Sequence, residues 1–209
     1  MTVVSLKNGT QDGAEILKID LSDGSSLHLK DFYLHGSPVC FDSFYVDKEI
    51  SPDEEKFLRF ADSCFQAERA GKRLIARAEQ TEAGLSRKLL SRFHDSACVS
   101  AVMAHLIKND LVNDERYAEH WLRFRLARKS GKVSGPRQLS AALGNRGIGR
   151  EALKGAFDKV LDEETEYTLL QQFVEKNRII SGAYSLRGQL RYEGFSSPVI
   201  NRYFEERTD

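Results

Sequence analysis

The sequence has no apolar run approaching the roughly 18 residues that a membrane-spanning helix needs. Its start, Met1-Thr2-Val3-Val4-Ser5-Leu6-Lys7-Asn8, has neither the basic opening nor the long apolar core of a secretory signal. Three widely spaced cysteines, Cys40, Cys64 and Cys98, are too few and odd in number for a disulfide framework or a cysteine-based metal site. They read as small buried hydrophobes, and a cytoplasmic, reduced protein is the expectation. The sequon Asn8-Gly9-Thr10 is then never glycosylated. Four prolines and 15 glycines in 209 residues exclude a collagen-like chain or a proline-rich linker.

Net charge is also missing, with 31 Lys and Arg against 31 Asp and Glu. The balance is uneven along the chain. Residues 1–69 hold 7 basic and 13 acidic side chains, residues 70–150 hold 16 and 7, and residues 151–209 hold 8 and 11. A strongly basic middle lies between two acidic ends, and it suits an anionic partner. What is present is 41% hydrophobic residues, enough for a core.

The first 50 residues read as β structure. Leu17, Ile19 and Leu21 alternate with polar residues, as do Leu27 and Leu29, and Asp23-Gly24 between them is a hairpin turn signal. Tyr33-Leu34 and Phe41 to Val46 are candidates for further short pairing. Ser51-Pro52-Asp53-Glu54-Glu55 reads as a helix start: a cap, a first-turn proline, then acids facing the helix dipole.

Beyond it the chain reads as consecutive helices with an internal repeat. Leu139, Leu143, Ile148, Leu153 and Phe157 are spaced 4, 5, 5, 4, and so are Leu186, Leu190, Phe195, Ile200 and Phe204. Leu85, Leu89, His94, Val99 and Met103 follow the same spacing, with His94 as the one polar member. A step of four keeps one helix face, and a step of five crosses a tight turn. Gly147 and Gly194 stand where a helix ends in the left-handed conformation; the first copy has Phe93-His94 there. A longer helix precedes each copy, over about 64–79, 114–130 and 163–178. The fold class expected is mostly α: three tandem three-helix units behind a small N-terminal β-hairpin element. The divisions are 1–50 for the β extension, 51–112 for a linker helix with the first repeat, 113–161 for the second and 162–209 for the third.

No catalytic constellation stands out. The five histidines lack metal-ligand spacing, Gly131-Lys132-Val133-Ser134 is not a phosphate loop, and Gly144-Asn145-Arg146-Gly147 reads as a helix cap. No cofactor, no metal and no enzymatic activity are expected. In the helix opening at Asp114, Tyr117, Ala118, Trp121, Leu122 and Phe124 form one apolar arc, the three aromatics reading as scaffold. Arg125 and Arg128 project within that arc, either snorkelling from the core or placed in a groove for carboxylate or phosphate.

Three stretches carry a family resemblance. Residues Leu74 to Leu89, the segment Leu111-Val112-Asn113-Asp114-Glu115-Arg116-Tyr117-Ala118, and Gly135-Pro136-Arg137 with Leu139, Leu143 and Gly147-Ile148 resemble the RecX family, bacterial regulators of the RecA recombinase. The resemblance covers roughly 54–207, and the Asn-Asp-Glu-Arg-Tyr-Ala segment is its most specific part. Phe93-His94, Ala78 and Gly84 depart from the family's usual residues.

The resemblance implies a curved, elongated body of tandem repeats that binds the RecA–DNA filament. It also implies inhibition of RecA's ATPase, strand exchange and co-protease activity. Arg123, Arg125, Arg128, Lys129, Lys132 and Arg137 are the first candidates for the contact, and Arg73, Arg77, Arg87, Lys88 and Arg92 the second. The alternative is a sequence-independent DNA-binding protein that competes for single-stranded DNA through phosphate contacts. A monomer, with no membrane partner, is expected.

Overall fold

The structure is a computed structural model that describes residues 1–11, 13–36, 39–128, 133–177 and 183–207. It divides into two compact units. One comprises Met1–Glu79 with Leu85–Val112, the other Gln80–Gly84 with Asn113–Asp209.

The first unit opens with an antiparallel sheet in the order β1 (Val3–Gln11), β2 (Ala14–Leu21), β3 (Ser26–Lys30). The hairpin read from the sequence is β2–β3. Gly24 takes a positive φ of 84°, and Asp23 accepts the Ser25 amide at 2.9 Å. β1 was not anticipated. Tyr33-Leu34 and Phe41 to Val46 add no strand; 3-10 turns form at Asp31–Leu34 and Phe41–Ser43 instead.

Leu17, Ile19, Leu21, Leu27 and Leu29 are buried, as their alternation requires. They share one core with Leu58, Ala61 and Cys64 of α1 (Pro52–Arg77). The β element is therefore one face of a larger core. β3, an edge strand, lies against α1, where Asp62 accepts the His28 amide at 2.8 Å. That contact satisfies an edge donor that would otherwise invite another strand.

The helix start at Ser51 is a full capping box: the Ser51 hydroxyl accepts from Glu54 N, and the Glu54 carboxylate accepts from Ser51 N. It opens a single 26-residue helix, so the linker helix and the helix expected over 64–79 are one element. α2 (Glu82–Phe93) and α3 (Ser96–Lys108) follow, the first turn of α2 clustering with the second unit. Cys64 and Cys98 are buried as expected, whereas Cys40 is exposed.

The second unit continues with α4 (Asp114–Leu126), α5 (Pro136–Gly144), α6 (Arg150–Val160), α7 (Glu163–Lys176), α8 (Ala183–Tyr192) and α9 (Ser197–Glu205). The triplets α1–α3, α4–α6 and α7–α9 are the three-helix repeats.

The glycine turns are Schellman closures. Gly147 N reaches Gly144 O at 2.9 Å and Ile148 N reaches Leu143 O at 3.4 Å. Gly194 N reaches Arg191 O at 3.0 Å and Phe195 N reaches Leu190 O at 3.1 Å. Both glycines have φ near 90°. In the first repeat the left-handed residue is His94 itself, at φ 57°, with one bond from its amide to Leu90 O at 3.0 Å. The turn there spends the position that Ile148 and Phe195 use for packing, which is why a polar, exposed residue stands in the pattern.

A Cβ on Gly147 would lie 2.4 Å from the Cβ of Ala83. Gly147→Ala therefore combines left-handed strain with a backbone-level clash and should cost about 2–4 kcal/mol in urea unfolding. His94→Gly, which only relieves strain, should be neutral or slightly stabilising.

Candidate partner-binding site

The acidic motif at the start of α4 is spent on structure. Asn113 caps its own helix, accepting from Arg116 N at 3.0 Å. Asp114 accepts the Glu82 amide at 2.8 Å and so caps the start of α2. Beside it, Thr81 accepts from Gly84 N at 3.0 Å and donates to Arg146 O at 3.2 Å. Burial and the nearby Asp114 charge push the Glu82 carboxyl above its ordinary range. Glu115 and Glu119 hold Lys159 of α6 at 2.6 and 2.7 Å, and those hydrogen bonds push its amine up to about 12.

With Ala118 and Leu122 buried in the same core, this face of α4 is committed to packing. The segment that most resembles the family is thus a set of caps and ion pairs that position the helix.

The opposite face of α4 is what the helix presents. His120, Arg123, Phe124, Ala127 and Arg128 are exposed at a spacing of 3, 1, 3 and 1 residues, one stripe of a helix. Phe124 is 71% exposed, which corrects its placement in the scaffold. Tyr117 and Trp121 do pack against the core, and Trp121 is covered by the Arg146 guanidinium at 5.1 Å. Among the described residues, neither Arg123, Arg125 nor Arg128 pairs with a carboxylate. Arg123 and Arg125 lie in the last turn of α4, where the helix dipole favours cations.

Arg125 is half-buried and lines a notch with Leu126, Arg128, Val133, Leu139, Leu169 and Gln172. The notch holds only about 20 Å³, room for one water. It is a footing for a guanidinium on the surface and too small for a ligand.

Arg137 is engaged locally, 3.5 Å from Glu193 and stacked over the Tyr192 ring at 4.2 Å. Lys129 and Lys132 lie outside the described residues. The second group of candidates belongs to the first unit. Arg73 and Arg77 are exposed one turn apart on α1, and Arg87, Lys88 and Arg92 are exposed on α2.

The stripe therefore brings together Arg123, Phe124 and Arg128, with Arg125 at its side. Phe124 is the exposed aromatic of this stripe, where the apolar arc had placed it in the scaffold. At 100° per residue Phe124 falls about 120° from Ala118 and about 160° from Leu122, away from the direction that those two buried residues define.

No protein-family model matches the chain. Regulatory protein RecX of Treponema pallidum strain Nichols is 30% identical over 161 residues, covering 76% of this chain and 96% of that protein. Regulatory protein RecX of Lactococcus lactis subsp. cremoris strain SK11 is 25% identical over 177 residues, 84% of this chain and 62% of that protein. A crystal structure of regulatory protein RecX superposes with a TM-score of 0.64 at 17% identity, covering 96% of this chain and 97% of that one. The crystal structure of RecX from Lactobacillus salivarius gives 0.54 at 24% identity over 70% of this chain and 97% of that one. The two structures share the fold of this chain.

Proposed function

The chain belongs to the RecX family of regulatory proteins, and from that premise we propose that it binds the RecA–DNA filament and inhibits RecA's ATPase, strand exchange and co-protease activity. The observation that carries the proposal is the α4 stripe, an exposed phenylalanine between unpaired guanidinium groups on a helix whose other face is fixed by caps and ion pairs. Rigid aromatic and arginine side chains are the usual anchors of a protein interface. The charge of the stripe complements an acidic groove.

The action is steric: bound protein obstructs subunit addition or the motion coupled to ATP turnover, and no catalytic step or cofactor is involved. The site of action is the cytoplasm, as a monomer. Among the described residues no helix is long and apolar enough to cross a membrane.

The test is RecA's single-stranded-DNA-dependent ATPase with this protein titrated below one per RecA. Inhibition at substoichiometric ratios is the expected result. No effect up to equimolar protein overturns the reading.

One observation favours a second reading. An aromatic side chain beside unpaired arginines is also the arrangement that stacks and neutralises single-stranded nucleic acid. Competition for the strand would then replace filament binding. Affinity for single-stranded DNA alone, falling steeply with salt, distinguishes it.

A further inference from the structure

One edge of β1 pairs with β2, and the other is covered only at its start. Val3 N donates to Lys48 O at 3.0 Å, and Val3 O accepts from Asp47 N at 2.8 Å. A one-residue bulge then lies between Val3 and Ser5. It shifts the alternation of the strand by one, as the side chains show: Val3 is buried, and the next side chain to pack against the core is Leu6. The backbone groups that point away from β2 therefore belong to Val3 and then to Leu6, Asn8 and Thr10.

Among the described residues, no backbone bond joins the amides or carbonyls of Leu6, Asn8 and Thr10 to another segment on that side. The far edge of the sheet differs, because β3 lies against α1 and Asp62 takes up the His28 amide. An unpaired edge is a template for another strand. Lys7, the one charged residue of β1, stands opposite Lys18 on the other face of the sheet.

A cleft of about 380 Å³ opens beside the unpaired stretch, lined by Asn8, Gly9 and Thr10 of β1, by Ile16 of β2 and by Phe41. Gly9 has open space where a Cβ would stand. Glycine inside a strand marks a place where another backbone can come close. Two carboxylates, Glu15 and Asp42, complete the rim. Both are exposed, and among the described residues neither is paired. Glu15 stands opposite Thr10 in the register, so it shares the face of Leu6, Asn8 and Thr10.

We infer that the open edge of β1 takes up an extended peptide segment of a partner protein as an added strand, with an apolar residue for the cleft at Ile16 and Phe41 and a basic residue two positions away for Glu15 and Asp42. Bonds to the backbone of Leu6, Asn8 and Thr10 supply affinity, and the cleft with its carboxylates supplies the choice of sequence. The spacing of two keeps both side chains on one face of the added strand. A second copy of β1 lacks that pattern: its Leu6 and Lys7 are neighbours and point to opposite faces. The site belongs to the first unit, and neither functional reading of the α4 stripe uses it.

Amide NMR of the full chain tests this with two synthetic peptides. In both, every second residue is threonine; the residues between are leucine and lysine in turn, or leucine and glutamate. The lysine peptide should give saturable shifts at Leu6, Asn8 and Thr10, slow their hydrogen exchange about tenfold or more at saturation, and bind at least about tenfold more tightly than the glutamate peptide. Glu15→Lys with Asp42→Lys alters two exposed side chains and should reverse the preference, with circular dichroism unchanged. Asn8→Pro removes one outward N–H, which an edge strand tolerates, and should weaken the lysine peptide about tenfold. Absence of saturable shifts overturns the site. So does equal binding of the two peptides, or an unreversed preference in the charge-swapped protein. A dimer by sedimentation that protects the Leu6, Asn8 and Thr10 amides without peptide would give the edge to a second copy and overturn the proposal as well.

Discussion

Glu68→Ala should destabilise the protein by about 3–5 kcal/mol, the range for removing one partner of a buried ion pair. Glu68 lies mid-helix on α1 and is 3% exposed, with Lys30 of β3 at 2.8 Å, Lys72 at 2.8 Å and the Tyr33 hydroxyl at 2.9 Å. Alanine would leave the Lys30 ammonium, whose side chain is 12% exposed, without its carboxylate. It would also leave the Tyr33 hydroxyl without an acceptor.

The loss belongs to the first unit, so the readout is amide exchange in β3 and α1 together with urea unfolding. Lys30→Met should be costly for the same reason. Because the two groups are in direct contact, the double variant should cost less than the sum, by about 0.5–3 kcal/mol. Additive costs would mean that the pair is not coupled.

The same cluster sets an acid limit. Burial alone would raise the Glu68 carboxyl, but the hydrogen bonds and charges of Lys30 and Lys72 and the Tyr33 hydroxyl outweigh it and hold the group below its ordinary 4.5. A carboxyl with a depressed pKa in the folded state stabilises fully above its unfolded value, and that contribution is lost as pH falls through the folded one. His105 acts in the same direction. Burial and Lys30 lower its pKa beneath the ordinary 6.5, so the unfolded chain binds the proton first and stability declines as pH drops below that value. Unfolding free energy should therefore fall from about pH 6.5 downward and again below about pH 4.5. His105→Gln should remove the upper step alone. A flat profile between pH 7 and 5 would contradict it.

How much of this was legible in the sequence depends on the range of the interactions involved. The repeat spacing was legible because each position answers to its own helix. Leu139, Leu143, Leu186 and Leu190 are buried, and Gly147 and Gly194 close turns through bonds within six residues. β1 was less legible. Val3, Val4, Ser5 and Leu6 do not alternate cleanly, and Asp12-Gly13 carried a turn signal of the same kind as Asp23-Gly24, with Gly13 at φ 76°.

The Glu68 cluster was not legible at all. Its members come from residues 30, 33, 68, 72 and 105, and nothing local marks Glu68 apart from the other acids of α1. The basic stretch was visible as charge, yet charge did not separate Arg123 and Arg128 from Arg137, which Glu193 and Tyr192 occupy. The acidic motif of α4 was legible as a family mark, while its work as a cap for another helix depends on Glu82, 32 residues away.

Phe124→Ala should weaken filament binding by about tenfold or more, and the paired reversal Arg123→Glu with Arg128→Glu by more than that. The two losses have different physics. A phenylalanine that is 71% exposed is at an energetic cost in water that a partner's pocket would relieve, roughly 1.5–3 kcal/mol for full burial of a large apolar side chain. Its removal should change the dissociation rate and be nearly independent of salt. The two arginines act through charge that no carboxylate among the described residues neutralises. Their reversal should lower the association rate, and raising the ionic strength should shrink the difference from the unaltered protein. All three side chains point away from the core that Ala118 and Leu122 occupy, so circular dichroism and thermal unfolding should stay unchanged. The same variants measured on single-stranded DNA alone separate the two functional readings. If filament binding falls while DNA affinity is undetectable before and after, the stripe contacts RecA. If both fall together and the salt slope decreases by about two, the number of phosphates lost, the stripe contacts the strand. Inhibition of the ATPase by the triple variant at the ratio that suffices for the unaltered protein would remove the stripe from either role.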